Sequence, residues 1–298
     1  MHSLKILPLS PPPAVPILVL QPRSPPQPPH PARRYRGSCV MAGARNVQRS
    51  FVGVVGNRYC CAAVEARFPI CQRKGQAMSA RAGMPEIDGF IFDMDGTLLH
   101  TLPDLAAVTN KALELEGFPP HTEEQIRTFV GNGALALARL AVPDGATEEQ
   151  AEKVFRNFKG LYGEFGLSLT SEFEGMTETL KELHARGKKL GIMSNKFEGG
   201  VKDVEAKFFP GLFDVSHGET DTIPRKPDPD GLLLCAREMG LEPARCAYFG
   251  DSHTDLIAAH NAGMLAVGVT WGYQPLETLK TGSPDVLIDA PVDILQFA

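Results

Sequence analysis

The sequence has little that would hold it in a membrane, in a disulfide framework or on nucleic acid. No stretch of its 298 residues approaches the roughly 20 consecutive apolar residues of a membrane-spanning helix. The longest early apolar patch, residues 14–20, is short and interrupted by Pro16. Four of the six cysteines (Cys39, Cys60, Cys61, Cys71) fall in the first 84 residues. Only Cys235 and Cys246 follow, too few for a disulfide framework or a cysteine-based zinc site. Cys60 and Cys61 have no His or Cys partner at ligand spacing and read as unpaired thiols. Positive charge is also scarce after residue 84, where 18 Lys/Arg face 34 Asp/Glu. An acidic body of net charge −16 argues against nucleic acid as the main partner, because phosphate backbones call for basic surface.

Residues 1–84 have the opposite balance, with 12 Lys/Arg and the single acid Glu65. They also hold 12 of the 25 prolines, including Pro11-Pro12-Pro13. Proline removes backbone donors and breaks periodicity, so no packed core is expected here. Three readings stay open: an Arg-rich transit peptide, a polyproline ligand, or translation that begins at Met78 or Met84. The expected location is cytoplasmic, or an organelle if the leader is a transit peptide.

From Ile87 the pattern becomes that of a folded domain. Short apolar runs occur at Phe90-Ile91-Phe92, residues 189–193, residues 246–249, residues 265–269 and Val286-Leu287-Ile288. Helical patterns at 175–186, 199–207, 229–239 and 254–262 separate the later runs. Such alternation predicts an α/β fold with a doubly wound, mostly parallel sheet, a Rossmann-like core. Ligands in such sheets bind beyond the carboxyl ends of the strands, where Asp93, Ser194 and Asp251 fall. Asp93 and Ser194 are 101 residues apart, far more than a single crossover needs. Thr122-x-x-Gln125 and Thr147-x-x-Gln150 match the capping box within that interval. An all-helical cap, residues 102–171, is therefore expected to be inserted over the active edge of a core made of 85–101 and 172–298.

Asp93 and Asp95 leave one strand end two residues apart and repel each other unless something compensates. A divalent cation suits them, since Mg²⁺ takes few carboxylates, several waters and a substrate phosphate. Gly96 permits close backbone approach and turns its amide toward an anion. Ser194 and Asn195 offer a hydroxyl and amides at an expected helix start, suited to phosphate oxygens. Lys226, flanked by Arg225 and Pro227, offers a cation. Gly250-Asp251 places an acid at a third strand end, with Asp255 one helical turn on. Each string alone has a bland reading as a cap or a turn, but the ordered set is specific.

This set resembles the haloacid dehalogenase-like hydrolase superfamily, and within it the phosphoglycolate phosphatase-like branch. The resemblance covers about residues 87–290. It implies Asp93 as the nucleophile that becomes an aspartyl-phosphate, and Asp95 as the acid-base residue. It implies Ser194 and Lys226 as holders of phosphoryl oxygens. It implies a Mg²⁺ site from Asp93, the Asp95 backbone carbonyl and Asp251, with Asp255 behind it. Relatives that attack carbon or cleave phosphonates lack an acid at the place of Asp95, so a phosphate ester is the implied substrate. Gly131-Asn132-Gly133 resembles a cap segment of the branch that would approach a small carboxylate; a plain helix–helix turn is the other reading. Leu99-His100-Thr101 and His253-Thr254 depart from the branch, where Asp-Ser and Arg-Asn pairs are common. The expectation is a Mg²⁺-dependent phosphatase for a small phosphomonoester, 2-phosphoglycolate first. The alternatives are a sugar phosphomutase or pyrophosphatase, or a non-catalytic phosphate sensor. No nucleic-acid or membrane partner is expected.

Overall fold

The computed structural model describes residues 86–298, apart from Gly166. The readings of residues 1–84, with their four cysteines, lie outside the described residues.

The chain enters through β1 (Gly89–Phe92) and a two-residue strand β2 (Leu99–His100). Four helices follow: α1 (Leu102–Leu115), α2 (Glu123–Phe129), α3 (Ala134–Ala141) and α4 (Glu148–Phe165). The chain returns through β3 (Ser171–Glu172), which pairs antiparallel with β2, so the two passages between sheet and helices run side by side. Next come α5 (Met176–Ala185), β4 (Lys189–Phe197), α6 (Glu198–Phe208), β5 (Val215–Glu219) and α7 (Asp230–Glu238). The chain finishes with β6 (Cys246–Gly250), α8 (His253–Ala262), β7 (Leu265–Val269), α9 (Leu276–Leu279) and β8 (Val286–Ile288).

Six strands form one sheet in the order β5-β4-β1-β6-β7-β8, and every pairing in it is parallel. Alternation along β1 and β6 divides the core between the two faces. Phe90, Phe92 and Phe249 pack with Leu180 and Leu183 of α5 and Val201 and Val204 of α6. Ile91 and Tyr248 pack on the other side with Leu232 of α7 and Leu256 and Ala259 of α8. Both faces are covered, as an all-parallel sheet requires. Cys235 and Cys246 are free thiols in this second layer, and burial pushes them up to about 12 and about 11.

Two points differ from the sequence reading. Strand β5 was not anticipated, because Val215 is the lone large apolar residue in Val-Ser-His-Gly-Glu. Its buried positions are Ser216 and Gly218 at the sheet edge. Strand β4 runs on to Phe197 instead of ending at Ser194. Both capping boxes form: Thr122 and Gln125 exchange hydrogen bonds of 2.9 and 3.2 Å, Thr147 and Gln150 of 2.8 and 3.3 Å.

The helical segment has its own core of Leu105, Val108, Leu113, Val154, Phe158 and Tyr162. Its base is fastened by Asp104, a buried carboxylate of α1. Asp104 accepts from the amides of Leu169 and Thr170 at 2.9 and 2.6 Å and from the Thr170 hydroxyl at 2.7 Å. Among the described residues, no helix is long and apolar enough to cross a membrane.

Candidate active site

The site begins where β1 stops. The Asp93 amide still donates to Phe249 O of β6 at 2.9 Å, which anchors the residue at the sheet edge. The Met94 carbonyl then accepts from the amides of Leu98 and Leu99, both at 3.1 Å, and this tight turn sends Asp93 and Asp95 in different directions. Gly96 completes the turn at φ +88°, and a β-carbon there would strike the Asp251 carboxylate. Backbone conformation and available room both demand glycine.

Lys226 is the hub beneath Asp93. Its buried ammonium lies 2.7 Å from Asp255 Oδ1 and 2.8 Å from Asp93 Oδ1, and donates to the Tyr248 hydroxyl at 2.9 Å. The Asp93 contact is at ion-pair distance but lacks hydrogen-bond alignment, so buried Asp93 Oδ1 has no hydrogen bond of its own among the described residues. Burial pushes the Asp93 carboxyl up, Lys226 opposes and Asp255 adds to it, with a net value of about 6.

Asp251 follows β6. Its Oδ2 accepts from the Tyr273 amide at 2.6 Å and its Oδ1 from the Thr97 hydroxyl at 3.4 Å. Burial, then the charges of Asp255 and Asp93, hold its carboxyl well above the ordinary range. Asp93, Asp251 and Asp255 bring carboxylate oxygens within 4.8 Å of one another. Those of Asp255 are already engaged, Oδ1 by Lys226 and Oδ2 by the amide and hydroxyl of Ser252 at 2.9 and 2.6 Å. Asp93 and Asp251 retain accepting capacity. The set therefore fits a divalent cation: buried hard-oxygen donors, short of positive charge, one of them without a hydrogen bond.

The third strand end is built by an irregularity in β4. From Met193 to Phe197 the chain takes four steps while its neighbour β5 takes two, from His217 to Glu219. The surplus lets Ser194, Asn195 and Lys196 depart from strict alternation. The bulged backbone presses on β5 at Gly218, where a β-carbon would meet Lys196 O at 2.5 Å and Glu198 N at 2.7 Å. The expected helix start at Ser194 is thus replaced by a strand bulge, and α6 begins four residues later. Ser194 lines the cavity above the acids. Asn195 Nδ2 donates to Gly131 O at 2.9 Å, while its Oδ1 accepts from the Lys226 amide at 2.8 Å. One side chain thus joins the loop between α2 and α3 to the loop that carries Lys226.

Lys196 was not among the expected site residues. Its ammonium lies 3.1 and 3.2 Å from the two Asp95 oxygens and 4.3 Å from the centre of the Tyr162 ring on α4. Burial works against its charge, but the Asp95 carboxylate and Tyr162 outweigh burial and hold the ammonium well above the ordinary lysine range. Tyr273 was also missed. Its hydroxyl accepts from the amides of Thr101 and Leu102 at 2.7 and 2.9 Å, satisfying donors at the start of α1, which lacks a side-chain cap. Lys196 stands third after the apolar run, beyond Ser194 and Asn195, and Tyr273 lies past β7 in a loop; the β4 bulge brings the first to Asp95, and the bond from the Tyr273 amide to Asp251 holds the second.

A cavity of about 60 Å³ lies over these groups. The sheet contributes Asp93, Asp95, Ser194, Lys196 and Asp251; the helices contribute Leu105, Arg127, Leu137 and Phe158. Gly131 and Gly133 line it from the α2–α3 loop, whereas Asn132 is exposed and does not. The Arg127 guanidinium is held by Glu124 at 2.6 and 2.9 Å and by the Tyr273 carbonyl.

The strand-end acids, the buried lysine and the helical segment over them describe a hydrolase of one particular family. Residues 90–269 match the haloacid dehalogenase-like hydrolases, and the chain belongs to that family. It is an enzyme of the phosphoric monoester hydrolase class. It is 35% identical over 231 residues to a phosphoglycolate phosphatase of Escherichia coli (strain K12), covering 70% of this chain and 92% of that protein. A phosphoglycolate phosphatase of Vibrio vulnificus (strain CMCP6) is 34% identical over 220 residues, covering 70% of this chain and 95% of that protein. Among solved structures, a predicted phosphoglycolate phosphatase from Haemophilus somnus 129pt superposes with a TM-score of 0.67 at 33% identity. It covers 72% of this chain and 99% of that one.

Proposed function

We propose that the enzyme hydrolyses a small phosphomonoester, 2-phosphoglycolate first, through an aspartyl-phosphate on Asp93. The observation that carries this reading is the meeting of Asp93, Lys226 and Asp251 at adjoining strand ends, with Asp95 two residues away under a small cavity. Residues 102–171 serve as a cap over a core of 85–101 and 172–298. A Mg²⁺ ion, when held by Asp93, Asp251 and the Asp95 main-chain carbonyl, supplies positive charge that offsets the phosphoryl oxygens.

In the first step an Asp93 carboxylate oxygen bonds to phosphorus and the ester P–O bond breaks. Asp95 gives its proton to the departing alkoxide, which leaves as the alcohol. In the second step Asp95 takes a proton from water, the resulting hydroxide attacks phosphorus, and the Asp93–phosphorus bond breaks to release phosphate and the free carboxylate. Lys226 and the Ser194 hydroxyl hold phosphoryl oxygens, whereas the Gly96 amide, expected to face the anion, donates to the Leu99 carbonyl at 2.9 Å, so Gly96 serves the site by letting the turn pass close to Asp251. Asn195 keeps the Lys226 loop in register through the Lys226 amide, and Asp255 fixes the ammonium. Splitting one displacement into two and neutralising charge are what phosphoryl transfer needs most. The names of the curated relatives point to phosphoglycolate as the ester.

The test is phosphate release from a panel of phosphomonoesters with and without Mg²⁺. The reading expects 2-phosphoglycolate to have the highest kcat/KM, with turnover lost in chelator. A tenfold preference for phosphosugars or nucleoside monophosphates, about 1.4 kcal/mol in transition-state binding, would overturn the substrate while leaving the phosphatase. A requirement for a sugar bisphosphate would identify a mutase.

A further inference from the structure

We propose that Lys196 recognises an anionic leaving group, so that the enzyme selects phosphomonoesters whose alcohol carries a carboxylate. The inference rests on the roles given to Asp93 and Asp95 above and names the residue that sets the leaving-group class.

Lys196 is enclosed, its side chain 3% exposed, and it lines the cavity beside Asp95. Among the described residues, Asp95 is the only carboxylate within ion-pair distance of it. A buried ammonium is costly without a counter-charge. During the reaction one Asp95 oxygen turns to the leaving oxygen, which takes from Lys196 one of the two carboxylate oxygens that it now holds at 3.1 and 3.2 Å. Asp93 is committed to phosphorus at that moment. Asp251, the remaining acid on the cavity wall, is bound by Tyr273 and Thr97. The ammonium then needs an anion that arrives with the substrate.

A carboxylate one carbon from the ester oxygen meets that need, because it reaches the residue already in contact with Asp95. The Tyr162 ring closes the far side of the ammonium at 4.3 Å, a cation–π contact that keeps it facing the cavity. The other cation on the cavity wall, Arg127, is spoken for by Glu124 and the Tyr273 carbonyl. A site that buries a polar group for its substrate discriminates strongly against analogues lacking the matching group. Substrates with a neutral alcohol leave Lys196 unpaired and are disfavoured for that reason.

The experiment compares kcat/KM of the full chain for 2-phosphoglycolate and for 2-hydroxyethyl phosphate, in which a CH₂OH group replaces the carboxylate. The native enzyme is expected to prefer 2-phosphoglycolate by about 100-fold or more, and Lys196→Met to shrink that preference at least tenfold, about 1.4 kcal/mol. Lys196→Arg, which keeps the cation, retains more of the preference than Lys196→Met. If the Met variant does not fold by circular dichroism, Lys196→Gln is read in its place. Equal losses on both esters would overturn the proposal and make Lys196 a holder of Asp95 alone. So would an undiminished preference in the variant. A native enzyme that turns over both esters equally removes both this inference and 2-phosphoglycolate, and leaves the phosphatase intact. Turnover of neither ester, with Mg²⁺ present, removes the phosphatase reading as well. Glycolate is expected to inhibit the native enzyme far better than ethylene glycol, and equal inhibition overturns the proposal without any variant.

Discussion

Asp93 and Asp95 are two residues apart, yet each meets a different lysine. Asp93 faces Lys226 from the loop before α7, and Asp95 faces Lys196 from the β4 bulge. The Met94 turn produces this split, and it gives the two carboxyls separable tasks. Asp93→Asn is expected to abolish phosphoenzyme formation. Asp95→Asn should slow turnover of an ordinary phosphomonoester by about 10²–10⁴-fold, the usual worth of general acid-base help. It should still accept phosphate from an ester with a good leaving group and then release it slowly. Intact-mass measurement after mixing with such an ester reads both outcomes, and a phosphorylated Asp93→Asn protein would remove the assignment.

At the scale of elements, the position of the cap loop depends on Gly133 more than on Asn132. Gly133 adopts φ +81°, and a β-carbon there would meet Glu219 Oε2 at 2.9 Å and the Asn195 carbonyl at 3.0 Å. Gly133→Val is expected to lower kcat/KM for 2-phosphoglycolate at least tenfold because the loop cannot seat against β4. Asn132→Leu, exposed and away from the cavity, should change it by less than about threefold, the scale of a surface substitution. Equal effects in steady-state assays would show that the loop contacts substrate through Asn132 after all. The clasp at Asp104 is a second element-level feature. Asp104→Ala strands the buried amide and hydroxyl of Thr170, and urea denaturation should show a loss of about 1–3 kcal/mol, the cost of leaving a buried donor unpaired. An unchanged midpoint would mean that the passages between sheet and helices do not depend on this carboxylate.

For the whole molecule, the burial of acids at the sheet edge ties stability to pH and metal. Asp93, at about 6, and Asp251, held well above the ordinary range, hold protons in the folded state that the unfolded chain, near pKa 3.9, releases. Groups whose folded pKa is raised make the unfolded state bind fewer protons, so this contribution to stability falls as pH rises from about 4 through 6 and beyond. In chelator, melting temperature at pH 8 should therefore lie below the value these acids allow at pH 5. Mg²⁺ requires the ionised carboxylates, so the gain in melting temperature on adding it should be larger at pH 8 than at pH 5. At a concentration of about 100 times its dissociation constant, a ligand specific for the folded state contributes about 2.7 kcal/mol. A gain independent of pH between 5 and 8 would contradict a site built on Asp93 and Asp251.

The amino-acid sequence by itself determined the alternation of strands and helices, the parallel sheet and the acids at its edge. Apolar runs buried on both faces, such as Phe90-Ile91-Phe92, carry their own signal, and a polar residue directly after such a run has one place to go. The same local logic announced α2 and α4 through their capping boxes. Only the tertiary structure decided which lysine serves which acid. Lys196 and Asp95 are 101 residues apart, and the bulge that joins them arises from a mismatch in step between β4 and β5. Strand β5 itself was silent in sequence because an edge strand of Val-Ser-His-Gly-Glu is stabilised by pairing with β4 and not by an apolar pattern. The position of Tyr162 against Lys196, and of Tyr273 against the start of α1, likewise depends on distant segments packed together. No local spacing carries that information, because a contact between distant segments is decided by the packing of everything between them.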